Sequence, residues 1–272
     1  MNRPARTGLL YSPALAPWVE QSRKLIECLE VQASRFYSIS PRLVESICRF
    51  RPTVISKGWL SLGTPGPLDA NRVRAFAAVV EQAKPLWISD PLGFSRTSEF
   101  GWETNLPVCP NPGSLHTITE HAIQVMDVCQ KLLLLETTAS SIQVRGSIRE
   151  ADFLNQLCHK ASCGLLLDVT ALLVNSINHR FDPIEWLHQV DRRLILQLHV
   201  SGYTRRDNLC FDEHLSAVQE DVWKLVEEVL GYCSPRAIII EREGNYPPIF
   251  AIERELAQLK DLSRPTSWEI HE

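Results

Sequence analysis

The sequence has no excess of positive charge and no cluster of Lys and Arg interleaved with aromatics. With a net charge of −4 and a pI of about 6.1 it offers no field to attract a phosphate backbone, so nucleic acid is not an expected partner. Long apolar runs are missing as well. The N-terminus, Met1 to Gly8, carries Arg3 and Arg6 but leads into no stretch long enough for a signal peptide, and nothing approaches the length of a membrane span. The expectation is a cytoplasmic protein without membrane contact. The eight cysteines (28, 48, 109, 129, 158, 163, 210 and 233) include no C-x-x-C pair, which removes the usual warrant for zinc or a redox centre and favours reduced thiols acting as small core residues. Serine hydrolysis lacks its Gly-x-Ser-x-Gly elbow, and no Gly-x-Gly-x-x-Gly follows the first strand, which argues against an open dinucleotide-binding sheet.

What the chain does contain is a repeated alternation of short apolar runs and amphipathic stretches. Its 272 residues, 44% hydrophobic and 22% charged, lie near the ~250 typical of one eight-unit α/β barrel. The pattern predicts strands at 8–11, 25–31, 53–56, 86–89, 132–135, 165–167, 194–198 and 237–240, each followed by a helix. Several helix starts have recognisable caps: Ser40-Pro41, Asp69, Ser147-x-x-Glu150 as a capping box, and Asp182-Pro183 for helix six. Helices seven and eight are expected at 215–230 and 248–259. The reading is a parallel (β/α)8 TIM barrel over residues 1–262 with a frayed tail at 263–272. The Pro-, Gly- and aromatic-rich loop from Pro91 to Ser114 is expected to close over the functional rim with Phe94, Phe100 and Trp102.

Four successive apolar runs end in a residue able to bind a metal: Glu136, Asp168, His199 and Glu241. Their spacing is close to the ~30 residues of one strand-plus-helix unit, the last interval being longer, so each unit delivers one ligand to the C-terminal rim where barrel active sites lie. The set of carboxylates with one imidazole suits iron, manganese or another divalent cation, one or two ions in all, and leaves positions open for a substrate. Acidic residues at strand ends also cap helices, but four in consecutive units, one of them a histidine, favour a site. Asp212 and His214, in the loop after strand seven, can add two more ligands or act as acid and base; Glu136, Glu241 and His214 are the candidates for proton transfer. His116, His121, His159 and His188 fall within expected helices and read as surface or packing residues. Asn178-His179 either hydrogen-bonds in the mouth or shapes a turn.

The combination of Leu29-Glu30-Val31, Ser61-Leu-Gly-Thr64 with Pro67-Leu-Asp69, Leu135-Glu136, Gly164-Leu-Leu-Leu-Asp168-Val169, Asn178-His179-x-Phe181-Asp182, Leu198-His199-Val-Ser-Gly202, Asp212-x-His214 and Ile240-Glu241-Arg242 resembles the multinuclear non-heme iron-dependent oxidases that modify cysteine in ribosomally made peptides, including the methanobactin-biosynthesis oxidase. The resemblance covers about residues 8 to 260. It implies a xylose-isomerase-like barrel, a multi-iron site using dioxygen, a cysteine-containing precursor peptide as substrate, and often a partner protein that recognises the leader peptide. The chain departs from the family's pattern where a strand-three histidine is replaced by Ile55-Ser56-Lys57, where an acid-histidine pair reads Asp90-Pro91, at Thr170-Ala171 in place of an asparagine, and at Tyr203. Two other readings stand beside the non-heme iron oxidoreductase. A catalytically idle homologue would bind a peptide or partner enzyme, and a single-metal sugar isomerase or epimerase would use Glu, Asp, His and Glu around one ion.

Overall fold

The computed structural model describes residues 4–22, 25–37, 41–49, 51–96 and 101–264. Eight parallel strands, β1 (Arg6–Leu10), β2 (Cys28–Gln32), β3 (Thr53–Ser56), β4 (Ile88–Pro91), β5 (Leu133–Glu136), β6 (Gly164–Asp168), β7 (Ile195–Val200) and β8 (Ala237–Ile240), close into a barrel in sequence order, β8 pairing back onto β1. The helices are α1 (Ala16–Gln21), α2 (Pro41–Cys48), α3 (Ala70–Ala83), α4 (Pro112–Cys129), α5 (Glu150–Ala161), α6 (Val169–His179), α7 (Pro183–Leu187), α8 (Glu220–Tyr232) and α9 (Ile249–Leu262).

The strand pleat sorts side chains into two cores. Leu133, Leu135, Leu165, Leu167, Ile238 and Ile240 point outward and pack under the helices against Phe153, Leu157, Val222, Val226 and Leu256. Each such aliphatic side chain contributes roughly 1.5–3 kcal/mol on burial. The alternate residues Cys28, Val54, Trp87, Leu134, Leu166 and Ile239 form a separate apolar layer inside the barrel. Two residues further along each strand, the same face carries Glu30, Ser56, Ser89, Glu136, Asp168 and Glu241, all buried. A charged layer therefore sits directly on an apolar one. Gly164 makes room in the lower layer: a Cβ there would lie 2.7 Å from Leu134 and 2.8 Å from Leu196.

Strand β7 reaches the same arrangement through a bulge. Leu165 pairs with Ile195 but Leu166 with Gln197, so one residue is absorbed and Gln197 and His199 face inward.

The element boundaries depart from the sequence expectation in identifiable places. Helix six begins directly after β6 because the Asp168 side chain accepts the Ala171 N–H at 2.8 Å, and Asp182 caps only the short α7. The expected capping box at Ser147 is absent: α5 starts at Glu150 with Arg149 as N-cap and no side-chain bond, while a capping box that the spacing did not suggest, Asn111 with Ser114, opens α4. Residues 215 and 216, expected in helix seven, end a strand. They belong to an antiparallel ribbon, Gly202–Arg206 against Leu209–Ser216, and α8 starts only at Glu220. The 91–114 loop holds a second ribbon, Phe94–Arg96 against Gly101–Leu106. Ser40 lies outside the described residues. Asp69 caps α3 as expected, accepting from Asn71 and Arg72, and all eight cysteines are free thiols.

Candidate metal centre

One ligand atom from each of Glu136, Asp168, His199 and Glu241 lies within 4.8 Å of the others at the C-terminal mouth of the barrel. Adjacent hydrogen-bonded strands bring them together, with Asp168 directly opposite His199 in the β6–β7 register. His199 Nδ1 is 3.3 Å from both Glu136 Oε1 and Glu241 Oε2, yet it makes a hydrogen bond to neither. Glu136 Oε2 and Glu241 Oε2 are likewise buried without a hydrogen-bond partner. Buried lone pairs normally find donors. Atoms that crowd one point without bonding one another are what a cation requires, so the donor set fits a divalent metal.

The opposite edge of the imidazole is fixed. His199 Nε2 is 2.7 Å from Glu30 Oε2, a distance that needs a proton between them, so Nε2–H donates and Nδ1 is the ring nitrogen turned to the cluster. Gln197 also donates to Glu30 Oε2, at 2.6 Å, and its own oxygen accepts the Trp87 indole N–H at 2.6 Å. This carboxylate behind the ligand histidine was missed in the sequence, although Glu30 stands two residues after an inward apolar position, just as Glu136 and Glu241 do.

A second grouping, Asp168, Asp212 and His214, borders the first. Asp212 and His214 stand on the 202–216 ribbon and not in an irregular loop. Ser201 Oγ donates to Asp212 Oδ1 at 2.7 Å; His214 Nε2 lies 3.2 Å from that oxygen, 3.3 Å from Glu241 Oε2 and 4.0 Å from Asp168 Oδ2. His214 has a left-handed backbone (φ 57) and its carbonyl accepts the Glu243 N–H at 3.0 Å. Strain of that kind persists only where the surroundings enforce it.

The strand-three side is occupied by Lys57. Its Nζ lies 3.0 Å from Glu241 Oε1 and 2.8 Å from Glu243 Oε1, and the residue is 6% exposed. The loop that delivers it is wound around Asp90. Lys57, Trp59 and Ser61 alternate in the left-handed region, and the Leu60 N–H donates to Asp90 Oδ2 at 2.9 Å, so the backbone forms an anion-binding concavity over a strand-four carboxylate.

Charge accounts for the titration behaviour. Burial opposes a charge on His199, but Glu241 and Glu30 outweigh it and hold the imidazole well above its usual range. His214 is raised in the same way, against burial, by Glu241 and Asp212. Burial also opposes the Lys57 ammonium and is overcome by Glu241, Glu136 and Glu243. Burial and then Asp212 push the Asp168 carboxyl well above normal, whereas Glu241, despite burial, is held well below by His199, Lys57 and His214. So many buried carboxylates collect cations of any kind.

Other sequence candidates have structural duties. Asn178 bonds both backbone groups of Cys210, at 2.9 Å each, fastening α6 to the ribbon, and His179 Nε2 meets the Ser140 carbonyl at 2.8 Å. His121 packs, its two ring nitrogens against the Leu62 and Gly66 carbonyls. Thr170 Oγ1 stitches α6 to Ser201, and the Tyr203 hydroxyl turns to Asp221. Ser61, Thr64 and Asp69 hold the 94–106 ribbon through Ser95 and Arg96. Phe100 and the Trp102 side chain lie outside the described residues. Leu92, Pro107, Val108 and Pro110, from the same loop, instead wall a cavity of about 470 Å³ that begins at Thr137, the residue after Glu136, and runs between α5 and α6.

These features define a class. The fold is that of xylose-isomerase-like barrels, and it is shared with an endonuclease IV from Thermus thermophilus (TM-score 0.61, 18% identity, 94% of this chain and 99% of that one). A xylose isomerase-like TIM barrel protein from Mycobacterium smegmatis in complex with magnesium gives a TM-score of 0.59 at 15% identity, covering 96% of this chain and 98% of that one. Within the class, residues 6–264 match the family model described as RiPP precursor modification enzyme MbnB/TglH/ChrH. A UPF0276 protein of Bordetella parapertussis is 31% identical over 267 residues, 94% of this chain and 92% of the relative. The chain belongs to the MbnB/TglH/ChrH family of RiPP precursor modification enzymes.

Proposed function

We propose that this protein is a metal-dependent enzyme that oxidatively modifies a cysteine in a ribosomally made precursor peptide, with iron as the metal in preference to manganese or another divalent ion. The observation that carries the reading is the buried set of Glu136, Asp168, His199 and Glu241, whose unpartnered atoms face one point in a chain of this family. Those four residues would hold the first ion; Asp168, Asp212 and His214 would hold a second, so that one or two are bound. When bound, the metal supplies a Lewis-acidic, redox-active centre with positions open to substrate.

The chain's own groups do the rest. Glu30 keeps the proton on His199 Nε2 and so fixes the ligand's orientation. With a single ion bound, His214, at the outer edge of the cluster, is placed to exchange a proton with an incoming thiol, Glu241 lying 3.3 Å away. Glu136, with one unpartnered oxygen, is the third candidate for proton transfer. The cavity beside Thr137 offers apolar walls to residues flanking the cysteine, room that suits a peptide better than a small polyol. A leader-binding partner protein fits the same reading.

The test is aerobic incubation of Fe(II)-loaded protein with a synthetic cysteine-containing peptide, following dioxygen uptake and the mass of the peptide. Oxygen consumption coupled to a mass change at cysteine, absent with a serine peptide, is the expected result. Turnover of a ketose by the manganese form without oxygen would instead establish the isomerase reading, and tight peptide binding by metal-free, inert protein the non-catalytic one.

A further inference from the structure

Among the described residues a third grouping of ligand atoms adjoins the first two: His214, Glu241 and Glu243. It differs from them in one respect. Both of its carboxylates are already engaged by an ammonium group. Lys57 Nζ meets Glu241 Oε1 at 3.0 Å and Glu243 Oε1 at 2.8 Å, and Glu243 is further held by Gln32 Nε2 at 2.9 Å and Arg35 at 3.4 Å. Glu241 is thus divided, one oxygen to the lysine and the other, unpartnered, to the metal cluster.

The lysine is not a surface side chain that happens to fold inward. It follows Ser56 at the end of β3, takes a left-handed backbone (φ 50), and is delivered by the loop that Asp90 organises. Its stem is buried, and the charge at its tip meets two carboxylates with no competing anion partner needed. A lysine is a compact point charge with three donors, which suits it to stand where a cation would.

We propose that Lys57 is a resident cation: its ammonium occupies the place between Glu241 and Glu243 that those carboxylates and His214 would otherwise offer to a metal ion. The chain therefore loads no ion at this third position, and removing the ammonium opens it. The proposal rests on the metal-centre reading above, and the experiment separates the two.

Wild-type protein is saturated with manganese, freed of excess metal by gel filtration and assayed by elemental analysis beside Lys57→Met, Lys57→His and Lys57→Arg. The Met and His variants are expected to hold one more equivalent than the wild type, and Lys57→Arg to hold the same number. An unchanged count in folded Met and His variants overturns the proposal. Manganese-soaked wild-type crystals provide a check that needs no variant. An anomalous peak among Glu136, Asp168, His199 and Glu241 with none between Glu241 and Glu243 supports both readings. A peak between Glu241 and Glu243 sinks the lysine proposal alone. Wild type that takes up no metal, while a Lys57 variant binds one equivalent, would sink the metal-enzyme reading and leave the lysine as the reason.

Discussion

A carboxyl group sealed inside a protein is easier to keep neutral than charged, unless donors or cations compensate it. At Asp90 they do so only in part. Burial moves the carboxyl from its ordinary 3.8 to about 7, the Leu60 N–H working against the shift and the Glu136 charge adding to it. Between those two values the unfolded chain has lost this proton and the folded chain still holds it, so stability falls as pH rises through the window and levels off above about 7. On this account, metal-free wild type is roughly 2–3 kcal/mol less stable at pH 8 than at pH 5 relative to Asp90→Asn, at ~1.4 kcal/mol per unit. Urea unfolding of both proteins at the two pH values measures it, and parallel pH dependences would show that Asp90 titrates normally.

Ribbon 202–216 is the element on which the second grouping depends, since it carries Asp212 and His214 while the first grouping stands on barrel strands. Asn178 ties the ribbon down through both backbone groups of Cys210. Asn178→Ala should cost about 1–3 kcal/mol of stability from the lost bonds. It should also weaken binding of a second manganese equivalent while leaving the first unchanged, which calorimetric titration resolves; equal weakening of both would assign Asn178 to the barrel as a whole. Such elements also show where the sequence was legible. Strand ends with a single polar residue after an apolar run put Glu136, Asp168, His199 and Glu241 on one rim, where their ligand atoms converge, because the period-2 pleat and barrel closure leave few alternatives. Glu30 was not recognised as part of the same layer: its charge takes its role from partners on a strand far away in sequence. The ribbon was hidden because Leu215 continues into an apolar pattern that reads equally well as helix. Helix six was misplaced because Asp168 serves at once as N-cap and rim carboxylate, and an apolar stretch starting immediately after a strand has no turn signal to divide it.

At the scale of the whole molecule, a metal that binds only the folded chain stabilises it by mass action. An ion present at 100 times its dissociation constant contributes ~2.7 kcal/mol, and in a chain of this size each kcal/mol moves the melting temperature by about 2–4 °C. Saturating manganese should therefore raise the melting temperature by about 5–10 °C. Chelator should reverse the rise, and Asp168→Asn combined with Glu136→Gln should abolish it. A melting curve indifferent to manganese in the wild type would remove the metal from the folded state altogether. Among the described residues no helix is long and apolar enough to cross a membrane.

The apolar layer of Cys28, Val54, Trp87, Leu134, Leu166 and Ile239 beneath the charged one has a consequence for traffic. It closes the barrel beneath the charged layer, so that layer faces the C-terminal mouth and not the barrel's base. A precursor peptide bound across that mouth, as the proposed function has it, would constrain the order of arrival: small species first, the long chain last. While such a peptide stayed bound it would act as a stopper, holding whatever went in before it until it left.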